Sequence, residues 1–526
     1  MGNCRRILLK TLNFLAERII IYCLTQVGRD MTMTARYRKI LLYTLILAVI
    51  IPAIPTIALA DGRVAPAPAY FDIEQSVETI KVGLNSGSSA LYEAGLLNKT
   101  GSGYALGYYD YARVFHELGY TDCTALSMRG DVGFVLPDDT KVGPYHMLLN
   151  AVYGSFEGAK SAADGLWGGF PAYINGQYRV LVGAYANESK TNKAINERGM
   201  DAQAFTGSEF SVLAAETDTW ELKFLYDNSR STKLSVRPVG ADKPETWFGG
   251  NAYCGDFEFI RCGDRLAVIN YVGLEDYVKG VLPYEMNGEW PLEALKAQAV
   301  CARTYALNNI NAYCDDGFDL RNDTYSQVYR GMTGTTENTD NAAELTSGML
   351  VRYRGAVCKV YYMSSDGGST ESAANVFSQR RAYLSGTMDP YEAGIEFYNK
   401  TWKSELRSEN IIYRLSRYGH ELAEIDEINA VHSVMGNVTE LEIKDINGKT
   451  ICISGEDCFR ELGLNSLHYR VSKQENEEGE TVFVFQGGGW GHNCGMSQWG
   501  AYSMAHEHGA ACNDIIDFYF NGAYIG

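Results

Sequence analysis

Beyond residue 60 the 526-residue chain has no second long apolar run. That excludes a polytopic membrane protein, because a spanning helix needs about 20 consecutive apolar residues. Basic residues are scarce: 46 Lys and Arg stand against 64 Asp and Glu, a net charge of −18. Residues 1–60 hold 8 basic and 2 acidic residues, so the remainder carries −24. So acidic a chain has no electrostatic footprint for nucleic acid, and a neutral polymer suits it better than a polyanion. The C-x-x-C spacing of common zinc sites is also absent. Of 12 cysteines, Cys4 and Cys23 fall in the first 60 residues. Among the others, Cys254 and Cys262 flank one expected strand and Cys452 lies close to Cys458, whereas Cys301 falls inside an expected helix. An exported chain permits disulfides, and a free buried cysteine behaves as a small apolar residue; both states stay open.

What is present divides the chain. Arg36, Arg38 and Lys39 precede an apolar run over residues 40–51, and Ala58-Leu59-Ala60 follows. This is the pattern of a signal peptide cut near Ala60, or of an uncleaved N-terminal anchor, although Pro52 and Pro55 shorten the run. Starting at Met31 or Met33 would give a leader of ordinary length. The expected location is outside the cell, in the wall or on the outer face of the membrane. Residues 61–142 read as a Pro/Ala linker and a small β segment whose first strand starts at Thr79. Residues 143–215 read as a separate β-α-β-β-α module. Its helical stripe is Phe156, Ala159, Ala163 and Leu166, and a hairpin turns at Asn175-Gly176. Residues 220–526 form the largest part, with short strands over 222–226, 234–238, 256–261 and 266–271. A mostly helical stretch over 389–427 and a hairpin across Asn447-Gly448 follow. Thirty-six Tyr and 54 Gly suit strands and their turns. The expected fold class is α+β.

One stretch, residues 270–307, organises the rest. Pro291 suits a helix start, and Leu292, Leu295, Ala299, Ala302 and Ala306 mark one apolar face. A shorter preceding helix is expected to stop near Gly280 and Pro283, which leaves Glu285 at a turn beside Pro283, Met286 and Trp290. A carboxyl among apolar groups loses hydration and its pKa rises, as a general acid requires. The competing reading is a solvated loop carboxylate.

The residues of this stretch resemble the SpoIID/LytB family: Leu274-Glu275 with Tyr277, then Glu285-Met286, then W-P-L-E-A-L-K-A-Q-A from Trp290 and A-R-T-Y-A from Ala302. The similarity continues through S-Q-V-Y-R-G from Ser326, Y-M-S-S-D-G-G-S-T-E-S from Tyr362 and G-W-G-H-N-C-G-M-S-Q-W-G-A from Gly489. The resemblance implies a lytic transglycosylase that cleaves peptidoglycan strands stripped of stem peptides. Glu285 would be acid and then base, and 1,6-anhydro-N-acetylmuramic ends would result. The alternative is a LytB-type modifier that does not cut glycan but enhances an N-acetylmuramoyl-L-alanine amidase; the retained Glu285 and the long cleft motifs favour the first. Arg303 and Tyr305 match family positions and are expected to orient the glycan, with a structural salt bridge as the alternative for Arg303. Ser364, Ser365, Gly367, Gly368 and Thr370 resemble a loop lining the cleft, and His492 and Gln498 fall in the last motif beside it. Asp366 stands where the family more often has Ser, and it is a candidate second carboxylate. Some members carry a Cys/His zinc cluster before Q-V-Y; here Arg321, Tyr325 and Ser326 stand in those places, so no metal and no cofactor is expected. Residues 143–215 resemble the SPOR domain, a module that binds denuded glycan.

Overall fold

Thr79–Asn85, the first described strand, sinks Ile80 and Val82 completely and pairs antiparallel with Arg265–Gly273, far along the chain. The computed structural model describes residues 78–135, 141–240, 242–398 and 400–526. The leader, the apolar run and the Pro/Ala linker lie outside them. Among the described residues no helix is long and apolar enough to cross a membrane. The ten cysteines of the described part are unpaired.

The Thr79–Asn85 strand belongs to a seven-stranded sheet. Its order is Leu320–Arg321, Thr79–Asn85, Arg265–Gly273, Asp256–Cys262, Ser235–Gly240, Gly101–Tyr109 and Phe115–Thr121. A ten-stranded sheet packs against it through a shared core that includes Val82, Leu126, Phe224, Phe257 and Val268. One end of that larger sheet is the expected module. Its strands lie in the order Ala202–Thr206, Tyr145–Leu149, Gln177–Tyr185, Gly169–Ile174, with helices Phe156–Asp164 and Glu188–Arg198. This is a split β-α-β-β-α-β unit. Asn175 and Gly176 both take positive φ, as the two-residue hairpin turn requires. The module has no free inner edge, because Gly169–Ile174 pairs in parallel with Leu222–Asp227.

The second core gathers around Leu292–Asn308. This helix departs from the expected single apolar face. Eleven of its residues are buried, among them the polar Gln298, Arg303 and Thr304. Ala302 and Ala306 serve the first core, while Ala294, Leu295, Val300 and Cys301 serve the second. Small alanines let neighbours approach from every side, so the helix is buried all round.

The preceding helix also differs from expectation. Leu274–Glu285 runs straight past Gly280 and Pro283, and Glu285 is its last residue. Gly280 does not break the helix. A Cβ there would meet the Tyr329 ring at 2.4 Å and the Gly331 carbonyl at 2.9 Å, so glycine admits close packing. Pro283 removes one N–H from the last turn, yet the helix continues and the Met286 amide closes on Leu282 at 2.9 Å.

The stretch expected to be mostly helical, 389–427, is only partly so. Thr401–Arg407 is a strand that buries Trp402 and Leu406, and helix is confined mainly to Ser408–Ser416. The alternation T-W-K-S-E-L-R is the two-residue period of a half-buried strand. It pairs with Thr481–Gly488, which also pairs with Tyr469–Glu475. A second three-stranded sheet consists of Ile425–His432, Val438–Asp445 and Thr450–Ser454. Helices and strands are thus mixed in several sheets, an α+β fold.

Candidate active site

Glu285 ends its helix with its carboxylate turned into the protein. One oxygen accepts the Val328 amide at 3.1 Å, and the other accepts the Gln498 side-chain amide at 3.3 Å. Burial pushes the carboxyl above its ordinary value, against these hydrogen bonds and one from Tyr362. Among the described residues no carboxylate is hydrogen-bonded to it.

A directional chain aims the phenol of Tyr362. The Tyr277 hydroxyl donates to Gln327 Oε1 at 3.1 Å, and Gln327 Nε2 donates to the Tyr362 hydroxyl at 2.8 Å. With its acceptor side occupied, Tyr362 has its own hydrogen left for Glu285. Fully buried Gln298 accepts from Gln498 at 3.5 Å, while its own Nε2 has no partner among the described residues. Tyr305 lies within electrostatic reach of Glu285, and burial pushes its phenol up to about 12. Four rings gather beside these groups: Trp290 lies 4.6 Å from Trp499 and 5.1 Å from Tyr502, and Phe397 stacks on Trp499 at 4.5 Å.

Several expected ligand contacts are structural instead. Arg303 is fully buried. It grips Glu275 with two bonds of 2.8 and 2.6 Å and donates further to the carbonyls of Ala299, Ala343 and Met349. Its donors are consumed inside the fold, where the pair fastens the two helices together. Thr370 is buried and accepts the Thr387 amide at 2.9 Å, which braces the loop from within. His492 packs edge-on against Phe377 and Tyr361, and its Nδ1 accepts the Cys494 amide at 3.1 Å. Burial holds its pKa down at about 4, so the ring is neutral near pH 7. Gly367 and Gly368 take positive φ. The close approach at Gly367 is to the backbone of Gly488, 2.7 Å from where a Cβ would sit. Ser364 stays half-exposed, its carbonyl accepting the Trp499 amide at 3.0 Å.

Ser365 is buried and donates to Glu392 at 2.6 Å. Glu392, Asp366 and Asp389 form a buried group whose nearest oxygens lie within 4.8 Å of one another. Glu392 already accepts from Ser365, Ser497 and the amides of Asp366 and Gly367, so its acceptor positions are full. Asp389 accepts from Tyr391 and Tyr519. Asp366 Oδ2 has no donor among the described residues. Burial, then the charges of Glu392 and Asp389, raise the Asp366 carboxyl well above its ordinary value. A protonated Asp366 satisfies the orphan oxygen. Sealed in this way, Asp366 braces the loop and is no water-activating partner for Glu285. Ser497 joins this group to the site, since its neighbour Gln498 bonds to Glu285.

Glu285, Val328 and Gln498 therefore come from three separate motifs, and the last two fix the carboxylate of the first. A family model described as Stage II sporulation protein, SpoIID, matches residues 263–353, which contain the first two. An uncharacterized protein of Brachyspira hyodysenteriae is 36% identical over 306 residues, covering 56% of this chain and 79% of its own length. The chain belongs to the SpoIID/LytB family. Among other relatives, the Stage II sporulation protein D of Bacillus subtilis is 28% identical, with 49% of this chain and 75% of that protein covered. The amidase enhancer of Bacillus subtilis is also 28% identical, over 47% of this chain and 40% of its own. Tyr362, Gln327, Gln298 and Tyr277 are the groups of this SpoIID/LytB site that the sequence reading passed over. Each stands inside a recognised motif, and only folding turns it toward Glu285.

Proposed function

We propose that this SpoIID/LytB member is a lytic transglycosylase of denuded peptidoglycan strands, exported to the wall, with the 143–215 module as a SPOR-like glycan holder. The observation that carries the reading is Glu285: a carboxyl raised by burial and held by three neutral donors, with no carboxylate hydrogen-bonded to it among the described residues. An inverting hydrolase needs a second carboxylate about 6.5–9.5 Å away and a retaining one a partner at about 5–5.5 Å. A lone acid suits a reaction in which the substrate supplies its own nucleophile. Glu285 gives its proton to the oxygen leaving C1 of N-acetylmuramic acid, and the C1–O bond breaks. The C6 hydroxyl closes on C1 of the oxocarbenium-like sugar and returns its proton to Glu285. No water is consumed.

Digestion of purified denuded glycan in heavy-oxygen water tests this. Every new muramic end should be anhydro and unlabelled, and Glu285→Gln should lower the rate by roughly 10²–10⁴-fold. Labelled reducing ends mean hydrolysis and reject the proposal. The name of the Bacillus subtilis amidase enhancer supports a second reading, in which the chain assists an N-acetylmuramoyl-L-alanine amidase. No new ends, with faster release of stem peptides by an added amidase, would select it.

A further inference from the structure

A cavity of about 810 Å³ opens between the three-stranded sheet that holds Thr481–Gly488 and the one that holds Ile425–His432. Gly367 and Gly488 line one part of it. It therefore shares a loop with the Glu285 site, since Tyr362 lies five residues before Gly367. In a chain with a large acidic excess, the charge of this cavity is reversed. His432, His468 and Arg470 line it, and no Asp or Glu does. The carboxylate hydrogen-bonded to a lining side chain is the exposed Glu442, which accepts from Asn429 at 3.3 Å.

The three basic groups are not used up by the fold. The Arg470 guanidinium is exposed and has no hydrogen bond or ion pair among the described residues. It stands opposite Gln486 in the strand ladder, and that side chain also lines the cavity. His468 directs Nδ1 at Asn437 Oδ1 (3.2 Å), an oxygen whose amide partner donates to Ser369. His432 directs Nε2 at the Tyr469 carbonyl, 2.8 Å away. Each ring thus donates one N–H to the protein and has one nitrogen left over. That nitrogen becomes a donor only when the ring is charged. Burial, then the charges of His432 and Arg470, lower the pKa of His468, as expected of cations gathered without a counter-ion.

Resting on the reading above, the chemistry of the strand supplies the anion. In peptide-bearing glycan the lactyl carboxyl of each muramic residue is tied up as a neutral amide. Removal of the stem peptide frees it as a carboxylate. We infer that this cavity receives the free lactyl carboxylate of a stripped muramic residue, with Arg470 as the permanent cation and His468 beside it as a proton-dependent donor. Preference for denuded glycan is then a reading of charge as well as of bulk.

The test is a binding measurement on the full chain carrying Glu285→Gln, so that cutting does not intervene. Denuded strands are compared with the same strands after their carboxyls have been converted to neutral methylamides. The acid form should bind roughly tenfold more tightly, as expected for a charge-assisted pair. The advantage should shrink with added salt and as pH rises and His468 loses its charge. Arg470→Gln combined with His468→Gln, checked for unchanged melting, should bring the acid form down to the amide form. Equal binding of the two forms by the parent, or a difference that survives the double variant, overturns the inference. If instead digestion yields no anhydro ends while the binding difference stands, the transglycosylase reading fails and this one does not.

Discussion

Tyr362 accepts a hydrogen bond from Gln327 and has a single hydrogen left, which favours the ionised form of Glu285. Tyr362→Phe removes that support, so the Glu285 pKa rises further. Because the protonated acid is the active form, the falling limb of the pH–rate profile should move to higher pH; an unmoved limb would detach Tyr362 from the acid. Asp366 offers a second pH test. Burial and two neighbouring carboxylates hold its proton more tightly in the folded than in the unfolded chain. Its contribution to stability is therefore complete below the unfolded pKa and is lost as pH rises toward the folded one. Asp366→Asn keeps a donor beside Asp389 and abolishes the titration. Its melting temperature should exceed the parent's at about pH 8 and match it at about pH 4, near the unfolded carboxyl pKa. At this scale the lost hydration of Glu285 was legible from the apolar residues beside it. The buried roles of Arg303, Thr370 and Asp366 were not, because a sequence lists polar side chains without saying which of them meet only each other.

Between elements, the decisive contact is Gly280 against Tyr329, which brings the next amide upstream, Val328, onto Glu285. Gly280→Ala places a Cβ 2.4 Å from the ring. Overpacking of this kind costs about 1–3 kcal/mol, to be read from denaturant unfolding. Activity should fall as well, since relief of the clash moves the Val328 amide away from the acid. The sequence reading took Gly280 for a helix stop, because the local preference of glycine is visible and its partner, far along the chain, is not. The same blindness made 389–427 too helical: charged residues obscured the two-residue alternation of Thr401–Arg407. The Asn175-Gly176 hairpin was legible because its conformation is set by those two residues alone.

For the whole molecule, the α+β class followed from the mixture of periods along the chain, whereas the pairing of distant strands had no local signature. The 143–215 module illustrates this. Its own elements were readable, but not the parallel pairing that merges it into a ten-stranded sheet. Thr79–Asn85 was equally recognisable as a strand, while its partner lies almost 200 residues later, Thr79 facing Gly273. That separation has a temporal meaning. Chains are synthesised at about 5–20 residues per second, so the first strand waits roughly 10–40 s for the segment that covers it. Glu285 waits as long again for Gln498, 213 residues further on. Until that residue is made, the carboxyl lacks one of its two side-chain donors and the wall that Ser497 fastens. A growing or prematurely ended chain therefore lacks the assembled Glu285 site, which closes only once Gln498 has been made.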